Sequence, residues 1–165
     1  MSYDLFLSRD YMIFSSAHFV VGKKFIETLH GHNYKILINI YGNQDEENMI
    51  LNFYDIKKVL KPIVDKLDHK ILIPKNSNLL EITESDEQII IKIPDYNKEY
   101  EFPKSDVIML PIMNTTVEEI SHYLADKLMW NKEIKKENID QVTVTVFEYE
   151  GQGVTFELFP RYEHK

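Results

Sequence analysis

The stretch ETLHGHNYKILINIYG, residues Glu27 to Gly42, decides how the rest of the chain is read. Its second half alternates Tyr34, Ile36, Ile38 and Ile40 against Lys35 and Asn39, the period of a strand with one buried face, and Gly42 ends it. Just upstream, YMIFSSAHFVV is rich in aromatic and β-branched residues and reads as a first strand, broken by Gly22, Lys23 and Lys24. The two form an expected antiparallel pair. His30 and His32, two residues apart, project to the same side if the chain is extended there. A zinc ion used in catalysis takes three protein ligands and leaves one position open, so a third imidazole is needed, and His18 in the neighbouring strand is the candidate. Alone, the His-x-His pattern is short and common. Its plain reading, with His18 a core histidine and the other two in a turn, is then preferred.

Further along the chain the periodicity changes. Ile56, Val59, Leu60, Ile63 and Leu67 recur at helical spacing from Asp55, with Lys57, Lys58, Lys61 and Asp65 on the other side. Pro62 interrupts this pattern, and an interior proline costs roughly 3 kcal/mol, so a kink or a late start is expected there. Residues 75–111 hold the short runs QIIIKI and EYEF around Pro94, Asp95 and Asn97, read as a hairpin elaboration. A second helix opens at NTTVEEISHYLADKLMW, where Thr116 and Glu119 have capping-box spacing and Val117, Ile120, Leu124 and Leu128 form the apolar stripe. QVTVTVFEYEGQGVTFELF then gives two strands about a glycine turn, with Val142, Val144 and Val146 facing one way. The order predicts an α+β fold, one domain over 1–165, with helices covering an antiparallel sheet.

Composition narrows the chemistry. The 165 residues include 44% hydrophobic types, enough for a core. With 19 basic and 27 acidic residues the formal charge is −8, which disfavours nucleic acid as a partner. The chain has no cysteine, which excludes disulfides, thiolate zinc and thiol nucleophiles. No run approaches the ~18 apolar residues of a membrane span, and a soluble, cytoplasmic protein is expected. Any metal rests on His, Asp or Glu.

Three further islands carry ionisable groups. LDHK sets Asp68 and His69 just past the first helix, where a carboxylate orients an imidazole for proton transfer or, more plainly, where a helix simply ends in solvent. In FEYE, Glu148 has the parity of the buried valines and so needs a cation or N–H donors. Glu118 lies in a helix first turn, where acidic residues are common without function. The cupin family also uses His-x-His but expects a glutamate after the pair, whereas here NYKILIN follows.

SSAH, HGHNY, LDHK, TTVE and FE, in this order across nearly the whole chain, together resemble the 6-pyruvoyl-tetrahydropterin synthase family. The resemblance implies a tunnelling fold, in which ββααββ-type subunits form trimers around a β-barrel and two trimers stack as a hexamer, with sites between subunits. It implies zinc on His18, His30 and His32, a proton relay of Asp68 and His69, and a pterin pocket of Thr116, Glu118 and Glu148. The usual members carry a cysteine base four residues before the first histidine of the pair, where this chain has Ile26. Glu27 stands one residue later, as in a glutamate-bearing subgroup known from malaria parasites and some bacteria, which the 75–111 insertion also resembles. That subgroup converts 7,8-dihydroneopterin triphosphate to 6-hydroxymethyl-7,8-dihydropterin. Zinc on neutral imidazoles would acidify a substrate hydroxyl, and Glu27, partly desolvated, would be the general base. A 6-pyruvoyl or 6-carboxy product, a non-catalytic pterin- or purine-binding module, and a structural protein with incidental histidines are the alternatives. Asn52 stands where the family often has aspartate, Lys23 and Lys24 are candidates for phosphate contact, His122 is assigned to packing and His164 to a frayed tail.

Overall fold

The structure, a computed structural model, describes residues 2–160. Its spine is β3 (Ile26–Gly42), 17 residues long, so both histidines of the pair lie inside a strand and not in a turn. Against one edge of β3, β1 (Tyr3–Leu7) and β2 (Ile13–Val21) follow each other end to end, β1 on residues 38–42 and β2 on residues 26–35. β1 is not among the expected strands; Asp4 and Ser8 obscure its short alternation. Against the other edge lies β9 (Ile139–Tyr149), followed by β10 (Gln152–Leu158) across a turn at Gly151, whose φ of 77° suits glycine.

The helices α1 (Phe53–Leu67) and α2 (Val117–Met129) cover one face of this sheet. Ile56, Leu60 and Leu67 of α1 and Ile120, Leu124 and Leu128 of α2 pack on Tyr34, Ile36, Ile38, Ile40, Val142, Val144 and Val146, all fully buried. α1 continues through Pro62 without a late start. Pro62 and Lys58, whose carbonyl loses the missing N–H, are both exposed, so water can satisfy the freed acceptor. The helix also starts two residues earlier than expected, because Asn52 caps it: its Oδ1 accepts from the Tyr54 N–H at 2.8 Å. Asn52 is therefore a local turn feature. Asn52→Ala is expected to lower stability by roughly 1 kcal/mol in urea melts without altering metal content. At α2 the expected capping box does not close. Thr116 is the N-cap without a side-chain bond, and Glu119 instead accepts the Met113 N–H at 2.9 Å.

The sheet is mixed where an antiparallel one was expected. β4 (Lys70–Pro74) joins β2 in parallel and β8 (Val107–Leu110) joins β4 in parallel, because α1 returns the chain to the β2 edge in the same direction. Between β4 and β8 the elaboration is a three-stranded sheet, β5 (Glu81–Glu84), β6 (Gln88–Ile93) and β7 (Lys98–Pro103), one strand more than the expected hairpin. Its Ile89, Ile91 and Ile93 bury Phe19, Val21 and Ile73 in a second apolar cluster. Among the described residues no helix is long and apolar enough to cross a membrane.

Candidate metal and substrate site

β2 and β3 pair so that His18 lies directly opposite His30 and Ser16 opposite His32. The three imidazoles therefore share one face, where their ring centroids are 4.5, 5.2 and 4.7 Å apart. Their candidate ligand atoms all fall within 4.8 Å of one another, and among the described residues no other His, Cys, Asp or Glu group converges in this way.

Hydrogen bonds fix which nitrogens face inward. His18 Nδ1 is 2.7 Å from the Thr115 carbonyl and His30 Nδ1 is 2.7 Å from the Thr28 carbonyl. A carbonyl only accepts, so each Nδ1 carries the proton and each Nε2 presents a lone pair. Those two Nε2 atoms are 3.1 Å apart. His32 Nε2 is buried with no hydrogen-bond partner. Two lone pairs in contact beside an orphaned buried nitrogen suit a divalent cation and suit little else. Burial also lowers the His18 pKa to about 4, only partly offset by its bond to Thr115, so the ring is neutral and free to ligate.

Two carboxylates border the trio. Glu148 Oε1 is 3.7 Å from His18 Nε2 and its side chain is 16% exposed. Burial raises its pKa above the usual carboxylate range, His32 opposes this, and the charges of Glu27 and Glu118 push it further up. Its parity with Val142, Val144 and Val146 is thus explained by the site it faces. It lines a groove of about 610 Å³ with His32, Asn33, Lys35 and Phe147. Glu27 Oε1 is 3.9 Å from His30 Nε2, but its side chain is 57% exposed. The desolvation expected of it is not supplied within one chain, since it is the second residue of β3 beside the exposed Lys23–Phe25 connection.

Asp68 and His69 follow α1, whose end is tied down where Ser16 Oγ donates to the Leu67 carbonyl at 2.5 Å. Asp68 accepts the Ser15 N–H at 2.7 Å and lies 2.8 Å from His69 Nδ1, and the Ser15 bond chiefly holds its pKa low. His69 adopts φ 57° and its imidazole is 83% exposed. It borders an open groove with Ser15, Ala17 and Asn33, which have the opposite parity to the three histidines, and with Ser16 and His32, which share it. The pair is ready-made for proton transfer, beside a groove that also reaches His32 of the trio.

Thr116 and the exposed Glu118 stand at the start of α2, next to Thr115, which holds His18. Lys23 and Lys24 are exposed in the β2–β3 connection. His122 stacks on Phe156 at 4.3 Å with its other edge towards Asp126, but it is an exposed ring on the surface of α2 and not the packed residue expected. His164 lies outside the described residues.

Thr115, Thr28 and Tyr100 are not among the residues expected from sequence. Thr115 and Thr28 act through backbone carbonyls, which any residue type supplies, and Tyr100 reaches the site from the inserted sheet. A doubled threonine before α2 is the one signal that pointed near Thr115.

The family described as 6-pyruvoyl tetrahydropterin synthase matches residues 8–158. The chain belongs to this family. It is therefore an enzyme of the pterin synthase, lyase type. A relative from Methanocaldococcus jannaschii, provisionally described as a 6-carboxy-5,6,7,8-tetrahydropterin synthase, is 36% identical over 148 residues, covering 88% of this chain and 90% of its own. The crystal structure of 6-pyruvoyl tetrahydropterin synthase from Plasmodium vivax superimposes with a TM-score of 0.87 at 31% identity, covering 96% of this chain and 99% of that one. Two variants of the P. vivax enzyme, in which a glutamate described as a catalytic residue is changed to alanine or cysteine, match with a TM-score of 0.87 at 30% identity over 96% of this chain and 99% of theirs. Family membership fixes the reaction class, a lyase acting on a small pterin.

Proposed function

We propose that this family member cleaves the side chain of 7,8-dihydroneopterin triphosphate to give 6-hydroxymethyl-7,8-dihydropterin, with Glu27 as general base and zinc on His18, His30 and His32. The observation that carries this reading is the carboxylate of Glu27, 3.9 Å from His30 Nε2, in a chain without any cysteine. The glutamate described as catalytic in the P. vivax relative supports it.

Bound zinc would supply a double positive charge that orients the substrate's side-chain diol and lowers the pKa of its hydroxyl. Glu27 takes the proton from the side-chain hydroxyl one carbon removed from the ring-attached carbon. The carbon–carbon bond between those two carbons breaks, a triphosphate-bearing aldehyde leaves, and the ring-attached carbon receives the electron pair and then a proton. Glu148 accepts N–H groups of the pterin ring, with Thr116 and Glu118 lining the same pocket. Asp68 and His69 carry the proton, in a site shared between subunits. A homo-hexamer of two stacked trimers, closing a β-barrel, accommodates this sharing and covers the exposed side of Glu27.

The second reading is formation of a 6-carboxy or 6-pyruvoyl product at the same site, which the M. jannaschii relative favours. Chromatography of the products after incubation with 7,8-dihydroneopterin triphosphate separates the two. 6-Hydroxymethyl-7,8-dihydropterin as the main product is expected; a 6-pyruvoyl or 6-carboxy pterin in its place removes the proposal.

A further inference from the structure

β3 places two residues, Thr28 and Leu29, opposite the single Phe19 of β2, because His18 pairs with His30 while Val20 pairs with Glu27. Such a bulge resets the alternation of side chains along the strand. In an unbroken strand residues 26 and 30 would share a face and Glu27 would point to the other one. With the bulge, Glu27 joins His30, while Ile26, opposite Val21, packs against the second apolar cluster. The bulge alone therefore sets which of the two adjacent side chains meets the histidines.

A bulge leaves backbone groups outside the ladder, and three backbone groups here have side-chain partners. The Thr28 carbonyl accepts from His30 Nδ1 at 2.7 Å, and the Phe19 carbonyl accepts from Thr115 Oγ1 at 2.6 Å. The Leu29 N–H donates to the Tyr100 hydroxyl at 3.3 Å. Tyr100 comes from β7 of the inserted sheet, and its ring is held 5.1 Å from Phe19 and 5.7 Å from Phe102. Tyr96, in the turn between β6 and β7, donates to the Gly22 carbonyl at 2.8 Å, at the far end of the same connection. The insertion thus grips the segment carrying Glu27 at both ends.

We propose that Tyr100 is a positioning residue for Glu27: its hydroxyl on the Leu29 N–H holds the bulge that turns residue 27, and not residue 26, towards the three histidines. The inserted sheet is on this account part of the apparatus that sets the base. The inference rests on the reading of Glu27 as the base, and its test keeps the two apart.

Tyr100→Phe preserves the ring contacts and removes only the hydroxyl. In the zinc-loaded protein without substrate, the Leu29 amide should exchange with solvent about tenfold faster than in the wild type, read by nuclear magnetic resonance. In the cleavage assay kcat should fall about fivefold, the size of one net hydrogen bond, with KM and zinc content unchanged. The pair Ile26→Glu with Glu27→Ala, which moves the carboxylate one residue back, should bind zinc and restore no turnover. Unaltered Leu29 exchange, faster exchange with kcat unchanged, or turnover regained with the carboxylate at 26 each overturns the proposal. A wild-type chain that binds zinc but cleaves nothing defeats the functional reading alone, since the exchange measurement still judges Tyr100.

Discussion

Glu27→Ala is expected to bind one zinc per chain and to lose turnover by a factor of about 10²–10⁴, the range supplied by a positioned general base. The separation of these two readouts follows from the geometry. Glu27 does not supply one of the converging ligand atoms, and the trio has its own backbone anchors at Thr115 and Thr28. Removing the carboxylate leaves those anchors untouched. Glu27→Gln, equal in shape and unable to accept the proton, is expected to be as impaired as the alanine variant. Wild-type kcat in either variant, measured at saturating substrate, would remove Glu27 from the mechanism.

His18→Ala is the second large effect, and here metal and stability fall together. His18 is fully buried and its Nδ1–H is the partner of the Thr115 carbonyl, so the variant strands a buried acceptor, opens a cavity and removes one of three ligands. Loss of zinc stoichiometry is expected, together with loss of the zinc-dependent rise in melting temperature; a ligand at a thousand times its Kd stabilises by about 4 kcal/mol. His122→Ala is the control. That ring stacks on Phe156 outside the trio, so its variant should keep both zinc and the zinc-dependent melting shift. Equal zinc binding by His18→Ala and the wild type would mean that the trio is not the site.

Much of this was readable from residue order, for physical reasons. Two-residue periodicity at Tyr34–Ile40 and Val142–Val146, and helical periodicity at Ile56–Leu67, report burial directly, and the structure buries those positions. His18, His30 and His32 were legible as a set because strand parity and strand pairing are local rules. The parallel strands β4 and β8 were not, since their position depends on where α1 returns the chain and a five- or four-residue run carries no mark of its partner. The placement of Asp68 and His69 beside β2 was hidden for a similar reason: it follows from the Ser15 backbone bonds across the sheet edge. Glu27 was visible as a residue type. Its facing was not, because a spacing of three along a regular strand predicts the opposite side, and only the bulge at Thr28 and Leu29 reverses it.

The central claim is that His18, His30 and His32 hold one divalent ion through their Nε2 atoms. X-ray absorption at the zinc edge of the purified protein tests it most directly. One zinc per chain with three imidazole nitrogens at about 2.0–2.1 Å is the predicted spectrum. A chain free of zinc after loading, or a spectrum with oxygen neighbours and no imidazole scattering, would contradict it.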